Sequence, residues 1–417
     1  MPRLATLVAV LLALLPAGLA SQERADIASD LTVTDKIYVA TQIHSDLITY
    51  FGHWSPALRQ EFEAAYRRYV SRITAAQSRR DFDLDSAELV ASVHNGHTRF
   101  TDDLLPREDR LPMPFTLVES DNGAWLVAAS ALPDLRLGDR VISIDRQPID
   151  AFLRDRARYV AASNARMAIS HVPSSPQLFP LSFELGLEGG RRVRVSRTDQ
   201  PPGQRAPDAT ETQWLVPGQI GYIRIPSFNS PDREQAALDF VRQAHNAKAL
   251  ILDLRGNGGG ATPFALLGAL MDRPSPTWNA STPEIIPLLE AQGAAPASFV
   301  RPSRLLPPRT DPFGGQLYVL VDRYTGSAAE DAVMPLKITR RATILGETTQ
   351  GSSGQPYRFD LGNGMRLSVG TVHYTFPDGT AFEGVGIAPD IEIQRSAADI
   401  AAGRDAVLAR ARSLAER

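Results

Sequence analysis

Residues 317–331, LYVLVDRYTGSAAED, constrain the fold of this chain more than any other stretch. Residues 317–321 are apolar and β-prone, which is typical of a buried central strand. The chain then breaks at residues 322–326, and a helical pattern begins at Ser327. A serine at such a junction is held rigidly, beside backbone N–H groups that can face a developing negative charge. Taken alone, the position favours an ordinary helix N-cap over a nucleophile, so the rest of the chain has to decide.

From Trp214 onward, strands alternate with helices, which indicates a largely parallel sheet with crossover helices. We expect core strands at 220–225, 249–254, 317–321 and 343–345, and a terminal β pair that includes 365–372. We expect helices at 231–246, 263–271 and 328–338, and one amphipathic tail helix at 397–416. Prolines and small residues in 274–314 predict an irregular insertion beside the site.

The N-terminal half has a different character. Apolar residues spaced three and four apart predict helices over 31–50, 55–76 and 81–94. Short β-rich runs follow, with strands predicted at 115–119 and 125–129.

Residues 137–150 resemble the second half of a PDZ domain, a module that binds peptide tails by strand addition. The strand that would hold a peptide is weak, and Pro112 and Pro114 lie near its start. A purely structural β module is therefore favoured over tail binding.

Together these patterns divide the chain into six segments. They are a signal peptide (1–20), an N-terminal helical domain (21–110), a PDZ-like module (111–200), a polar linker (201–213), a core (214–396) and a C-terminal helix (397–417).

The first twenty residues have the composition of a secretory signal peptide. Arg3 provides a positive start, residues 4–15 are apolar, and small residues lead to a cleavage site after Ala20. About 12 apolar residues fall short of the roughly 20 that span a bilayer. Cysteine is absent, so neither a disulfide nor a lipid-modified cysteine can form. We expect export to a periplasm, without stable membrane insertion after cleavage.

Composition excludes several functions. A net charge of −3 leaves no basic footprint for nucleic acid. The seven histidines lack the spacing of a zinc site, and no cysteine supplements them. We therefore expect no metal and no cofactor.

Residues 253–260, DLRGNGGG, follow a buried strand and precede a helix. Such a loop can cradle phosphate, but neither the dinucleotide fingerprint nor the P-loop pattern fits, and no lysine is near. Glycines also let backbone N–H groups approach a reacting carbonyl, as in an oxyanion hole. Asp253 and Arg255 are expected to brace this loop.

Four ordered motifs, DLRGNGGG, VDRYTGSAAED, LGETTQGSSG and FEGVGIAPDIEI, resemble the C-terminal processing (tail-specific) serine proteases and their tricorn-like relatives. The resemblance implies an α/β fold with a ClpP/crotonase-like β/α core. It also implies that Ser327 is the nucleophile, and that the N–H of Ala328 acts with that of Gly258 or Gly259 as an oxyanion hole.

The same resemblance exposes a departure. Tail-specific proteases carry a lysine as general base where this chain has Ser352, and a serine hydroxyl needs a base near neutral pH. The tricorn-like branch uses histidine and glutamate, which match His97 and Glu383. That branch also has a serine before its histidine, where this chain has Gly96; Ser352 or Ser353 is a candidate for that role.

Simpler interpretations of these residues stay open. His97 can be a helix C-cap residue, with His94 as the functional histidine, and Glu383 can be a surface charge. The leading hypothesis is an exported serine peptidase that acts on a peptide or protein. The alternative is a non-catalytic peptide- or lipid-binding protein on the same scaffold. Acyl chemistry on a thioester is a weaker third hypothesis, because the signal peptide removes the chain from cytoplasmic acyl-CoA.

Overall fold

The computed structural model describes residues 31–198, 208–284, 292–293 and 297–417. The α-helices are α1 Val33–Tyr50, α2 Pro56–Ala75, α3 Arg79–Ala91, α4 Ile149–Ala157, α5 Ala165–His171, α6 Pro231–Gln243, α7 Phe264–Leu270, α8 Ala328–Ile338, α9 Ala397–Ala401 and α10 Ala406–Ala415. Single 3₁₀ turns lie at Arg107–Arg110, Val172–Ser174, Pro176–Leu178 and Glu188–Gly190.

The strands are β1 Arg99–Asp102, β2 Phe115–Glu119, β3 Trp125–Ser130, β4 Val141–Ile144, β5 Gln147–Pro148, β6 Ser182–Leu187, β7 Arg192–Ser196, β8 Glu211–Val216, β9 Ile220–Arg224, β10 Ala249–Asp253, β11 Ser275–Pro276, β12 Asn279–Glu284, β13 Ala297–Arg301, β14 Leu305–Leu306, β15 Gln316–Val321, β16 Thr343–Gly346, β17 Pro356–Gly362, β18 Met365–Gly370, β19 His373–Thr375 and β20 Ile391–Glu392.

Helices α1 to α3 form the N-terminal part of the described chain. Each begins at a hydroxyl residue, Thr32, Ser55 or Ser78, whose side chain accepts a backbone N–H of the first turn. Their apolar faces share one core with the inner face of an antiparallel sheet of order β1-β18-β17. Strands from opposite ends of the chain therefore close this unit.

A six-stranded sheet of order β20-β16-β15-β10-β9-β8 forms the centre of the molecule. Its pairs are parallel except for β8 with β9. Strand β10 is buried along its whole length, as its apolar sequence predicts. Helices α6, α7 and α8 cover one face, and α10 packs on the other. The predicted α/β fold is confirmed.

A separate β unit lies between these two parts. Strands β5-β4-β6-β7 form one sheet, β2 and β3 form another, and α4 and α5 share their core. The predicted strands at 115–119 and 125–129 are present.

Three expectations about local structure are wrong. The tail forms two helices, α9 and α10, because Gly403 takes a left-handed φ of 61° between them. Part of the 274–314 insertion is regular, since β12 pairs with β13 and with β19. The last residues of the predicted linker 201–213 belong to β8, which starts at Glu211 and pairs with β9.

The predicted signal peptide, residues 1–20, lies outside the described residues, as does much of the predicted linker. Among the helices of the described ranges, none combines the length and the apolar character needed to cross a membrane.

Candidate active site

The turn that presents Ser327 is fixed by hydrogen bonds to the glycine loop. Asp322 Oδ1 accepts the N–H of Gly256 at 2.9 Å and that of Tyr324 at 3.0 Å. The hydroxyl of Thr325, fully buried, donates to the carbonyl of Leu254 at 2.9 Å. Because β10 and β15 are parallel neighbours, the two turns that follow them meet at the same edge of the sheet.

Ser327 itself has a strained backbone, with φ of 52° and ψ of −126°. A serine rarely adopts a positive φ, and the strain costs on the order of 1–3 kcal/mol. Its N–H donates to the carbonyl of Ser352 at 2.9 Å and to Glu330 Oε2 at 3.1 Å. Ser327 begins α8; its hydroxyl is 2.9 Å from His97 Nε2, and its carbonyl accepts the N–H of Glu330 at 2.7 Å. Ser327 is thus an N-cap residue by location, and its side chain contacts a histidine, as the hydroxyl of a nucleophilic serine would.

Glu330, one turn into α8, lies beneath this arrangement and is fully buried. Its carboxylate also accepts the N–H groups of Gly351 at 2.7 Å and Ser352 at 3.1 Å. Burial raises the pKa of Glu330 to about 8, against the opposing effect of these hydrogen bonds. The hydrogen bonds of Glu330 to Ser327, Gly351 and Ser352 fix the position of the loop that contains Ser352 relative to Ser327.

His97 contacts Ser327 directly. It lies between α3 and β1, and its Nε2 is 2.9 Å from Ser327 Oγ. Its Nδ1 is 3.0 Å from Ser352 Oγ. With the Ser327 hydroxyl donating to Nε2, Nδ1 carries the ring proton and donates to Ser352. Burial and then the charge of Arg99 lower the pKa of His97 to about 4, so the ring is neutral at pH 7 and able to accept a proton.

His94, the alternative histidine, is exposed and does not line the cleft around Ser327. The C-cap alternative for His97 also fails, because α3 ends at Ala91, with Ser92 as its cap.

Ser352 occupies the space that a side chain at position 96 would need. A Cβ placed on Gly96 would meet Ser352 Oγ at 2.6 Å. Ser352 can therefore lie beside His97 Nδ1 only because position 96 is a glycine.

The three lysines are all engaged elsewhere in the described chain. Lys36 donates to the carbonyl of Ala76, Lys248 to that of Glu416, and Lys337 to Asp390. None of the three lines the cleft.

Glu383 is connected to His97 through one intervening residue, Asn95. Its Oε1 accepts from Asn95 Nδ2 at 2.8 Å and from the hydroxyl of Ser163, and Oε2 accepts the N–H of Ser353 at 3.2 Å. Asn95 Oδ1 accepts the backbone N–H of His97 at 3.0 Å. Burial raises the pKa of Glu383 to about 7. The carboxylate thus reaches His97 through the side chain of Asn95.

The glycine loop and the start of α8 provide the candidate oxyanion donors. A Cβ on Gly259 would be 2.6 Å from Ser327 Cβ, so this loop lies directly against Ser327. The N–H of Gly259 is already donated to Asn257 Oδ1 at 2.9 Å, which removes it as a free donor. The hydrogen bonds of the described residues use neither the N–H of Gly258 nor that of Ala328. Of the two predicted glycines, Gly258 is therefore the one able to act.

Sequence reasoning missed three polar residues of this network: Asn95, Ser163 and Glu330. A fourth, Asn257, holds the glycine loop from within, with its Nδ2 on the carbonyl of Ile225 at 3.0 Å. The only local signals were that Glu330 and Asn257 lie inside quoted motifs and that Asn95 stands two residues before His97. Ser163 lacked even that, since it lies in the β unit.

Asp253 and Arg255 brace the loop, as expected. Arg255 donates to Asp253 Oδ1 at 2.9 Å and to Asp405 of α10 at 2.8 Å. The tail helix is thereby tied to the glycine loop.

These residues open on one cleft of about 1350 Å³. His97, Ser327 and Ser352 lie in its wall together with Gly258. A cleft of this size and a serine–histidine pair in contact are suited to nucleophilic attack on a bound carbonyl.

Residues 219–393 match peptidase family S41. The chain is 31% identical over 186 residues to the chloroplastic C-terminal processing peptidase of Tetradesmus obliquus, which covers 43% of this chain and 37% of that protein. It is 22% identical over 404 residues to the tricorn protease of Thermoplasma acidophilum, which covers 89% of this chain and 35% of that protein. The chain thus spans little more than a third of the length of these curated relatives.

The fold extends the likeness beyond the matched core. The solved structure of mature CPAF complexed with lactacystin has a TM-score of 0.67 to this chain at 15% identity, and the match covers 92% of this chain and 98% of that one. The match to peptidase family S41 thus covers the core, residues 219–393, which is less than half of the chain.

Proposed function

We propose that this protein is a serine peptidase that cleaves peptide bonds through an acyl-enzyme. The observation that carries the proposal is the 2.9 Å contact between His97 Nε2 and the Oγ of a serine held in a strained backbone conformation. Ser327 attacks the carbonyl carbon while His97 takes the hydroxyl proton, and the N–H groups of Ala328 and Gly258 hold the oxyanion. His97 then protonates the leaving amine, and water releases the acyl group by the reverse steps.

The supporting residues favour the lysine-free, tricorn-like branch of the family. Ser352 Oγ accepts a hydrogen bond from the protonated Nδ1 of His97, which leaves Nε2 unprotonated and able to act as base. Glu383 supports the histidine through Asn95, which fixes the backbone at His97. In this proposal Glu383 positions the base and does not exchange protons with it.

The proposed substrates are peptides or proteins outside the cytoplasm. The apolar start of the sequence supports export, and its small-residue cleavage pattern supports release as a mature chain from residue 21. Relatives that are named processing peptidases support a peptide as substrate.

Fluorophosphonate labelling of residues 21–417 tests the proposal. We expect one adduct, on Ser327, located by intact mass and peptide mapping. Ser327→Ala should lose the adduct, and His97→Ala should slow labelling by about 10³-fold or more, because the hydroxyl then lacks its base. Circular dichroism and thermal melting establish that each variant is folded.

A folded protein that takes up no adduct would overturn the proposal and favour the binding-protein alternative. In that case, native mass spectrometry of the purified protein would look for bound peptide or lipid. An adduct that forms equally fast in His97→Ala would retain the nucleophile but reject the base.

A further inference from the structure

One wall of the cleft is the outer face of the sheet formed by β1, β18 and β17. Residues alternate along each strand between the helical core and the cleft. The cleft-facing members of this wall are Arg99, Thr101, Pro356, Arg358, Arg366 and Ser368. The wall is therefore largely polar and carries three arginines.

Two of these arginines lie in one row across the sheet. Arg99 of β1 is paired with Ser368 of β18, and the same Ser368 is paired with Arg358 of β17. Neighbouring strands lie about 4.8 Å apart, so the two arginine backbones stand about 10 Å apart with one small side chain between them. The row leaves a gap that is flanked by two guanidinium groups.

The other charges that line the cleft have partners of opposite sign. Arg255 pairs with both Asp253 and Asp405. The remaining ion pairs are Arg366 with Asp103, Arg395 with Asp322, Arg404 with Asp399, and Arg224 with Glu211. Within the described residues, Arg358 has neither a hydrogen bond nor an ion pair, and Arg99 has a single 3.5 Å contact to the carbonyl of Gly96. The excess positive charge of the cleft is thus concentrated in this row.

The row is close to the catalytic pair. Arg99 follows His97 by two residues, so their Cα atoms are at most about 7 Å apart. Burial and then the charge of Arg99 lower the pKa of His97 and of His171, and burial and then the charge of Arg358 lower the pKa of Arg99. Both arginines are solvent-accessible from the cleft. A group bound between them would lie one or two peptide residues from the carbonyl at Ser327.

We propose that Arg99 and Arg358 form a carboxylate-binding subsite that selects peptides with an acidic group within two residues of the bond to be cut. Guanidinium groups bind carboxylates through charge-assisted, bidentate hydrogen bonds. The inference rests on the proposed peptidase function and adds its specificity. The carboxylate is either an Asp or Glu side chain or the free C-terminus of the peptide.

The preference for an acidic residue is measured by digesting a library of capped peptides with residues 21–417. Mass spectrometry identifies the cleavage sites. We expect Asp and Glu to be enriched at one position within two residues of the cut. For a matched pair with Glu or Gln at that position, kcat/KM should favour Glu by about tenfold, and raised salt should reduce this ratio. The same peptide as free acid or C-terminal amide separates a terminal carboxylate from a side chain.

Arg358→Ala should reduce the Glu-to-Gln ratio to below about threefold, and Arg358→Glu should invert it. Arg358 is exposed and unpaired, so both variants should keep the wild-type melting temperature. Arg404→Ala is the matched control, because Arg404 lines the same cleft but pairs with Asp399; its ratio should stay that of the wild type.

The failures of the two proposals are distinguishable. Cleavage with equal kcat/KM for both members of each pair would overturn the subsite and leave the peptidase function standing. If no peptide is cut, fluorescence anisotropy with the Ser327→Ala variant measures binding of the same pairs. Tighter binding of the acidic member, weakened by Arg358→Glu, would support the subsite and count against the peptidase. Equal binding would overturn the subsite as well.

Discussion

Ser327 is held in a costly backbone conformation by contacts on several sides. Its N–H is shared between Ser352 and Glu330, and the N–H of the preceding Gly326 donates to the carbonyl of Asn257 at 2.9 Å. Such strain persists only where the surroundings determine the conformation. The position of Oγ relative to His97 is therefore set before any substrate arrives, which reduces the reorganisation that the reaction requires.

The pH dependence of the proposed reaction follows from the lowered pKa of His97. A general base must be neutral, and with a pKa of about 4 the imidazole stays neutral throughout the range above that value. We expect the acid limb of kcat/KM near pH 4, well below the 6.5 of an ordinary histidine. Stopped-assay rates between pH 3.5 and 9, in a buffer of constant ionic strength, measure it.

Glu383, with a pKa of about 7, is the control for this profile. An inflection near pH 7 that disappears in Glu383→Gln would report that carboxylate. An acid limb near pH 6.5 that survives in Glu383→Gln would show instead that His97 has an ordinary pKa, contrary to the expectation.

At the scale of elements, α3 and β1 are joined by a buried group of charges. Arg79 of α3 donates to Asp102 of β1 through Nε at 2.5 Å and through Nη2 at 2.9 Å. Asp83, one turn further along α3, is buried against the same Asp102, and no donor of the described residues reaches its carboxylate oxygens. Burial and then the negative charge of Asp102 raise the pKa of Asp83 to about 8.

This group predicts that the stability of the protein falls as the pH rises. The folded chain keeps the Asp83 proton up to about pH 8, whereas the unfolded chain releases it near pH 4. Between these values the folded state binds more protons, so the free energy of unfolding decreases with increasing pH. Asp83→Asn, which is neutral at any pH, should raise the melting temperature at pH 9 and have little effect at pH 5.

Asp81→Asn, on the exposed face of the same helix, is the matched control and should not change this dependence. Melting by circular dichroism at pH 5, 7 and 9 distinguishes the two variants. A difference between Asp83→Asn and wild type that is the same at all three pH values would contradict the assignment.

At the scale of the whole molecule, the candidate site is assembled from three units. The helical unit contributes His97 and Asn95, the core contributes Ser327, and the β unit contributes Ser163. Arg323, in the turn before Ser327, pairs with Glu119 of β2 and with Glu347 after β16. One guanidinium thus connects the β unit, the core and the nucleophile turn.

Removal of Arg323 should cost about 3 kcal/mol of unfolding free energy, because it leaves two carboxylates close together in a largely buried site. We expect Arg323→Met to show this loss in urea denaturation. Arg323→Met combined with Glu119→Gln and Glu347→Gln should recover most of it, since no unpaired charge then remains buried. A single variant as stable as the wild type would show that the pairs contribute nothing net.

Much of the fold was predictable because it depends on short-range patterns. Apolar periodicity identified β9, β10, β15 and β16 within a residue of their observed limits, and the bounds of α8 were correct. The break between α9 and α10 was also signalled, by Gly403, and was missed. The regular strands in 274–314 carried no comparable signal, because β12 (NASTPE) and β13 (ASFVR) lack a clear apolar alternation, and one partner of β12, β19, lies far along the chain.

For the site, the sequence by itself determined that a serine begins a helix after one buried strand and that a glycine loop follows another. That these two turns meet was decided by the parallel pairing of β10 with β15. Family resemblance added His97 and Glu383, which no local pattern distinguishes from a cap or a surface charge. Only the tertiary structure decided that His97 contacts a serine 230 positions away, that Ser352 takes the other ring nitrogen, and that Asn95 stands between His97 and Glu383. The physical reason is that periodicity reports which face of an element is buried. Hydrogen bonds between side chains depend on how separate units pack, to within fractions of an ångström.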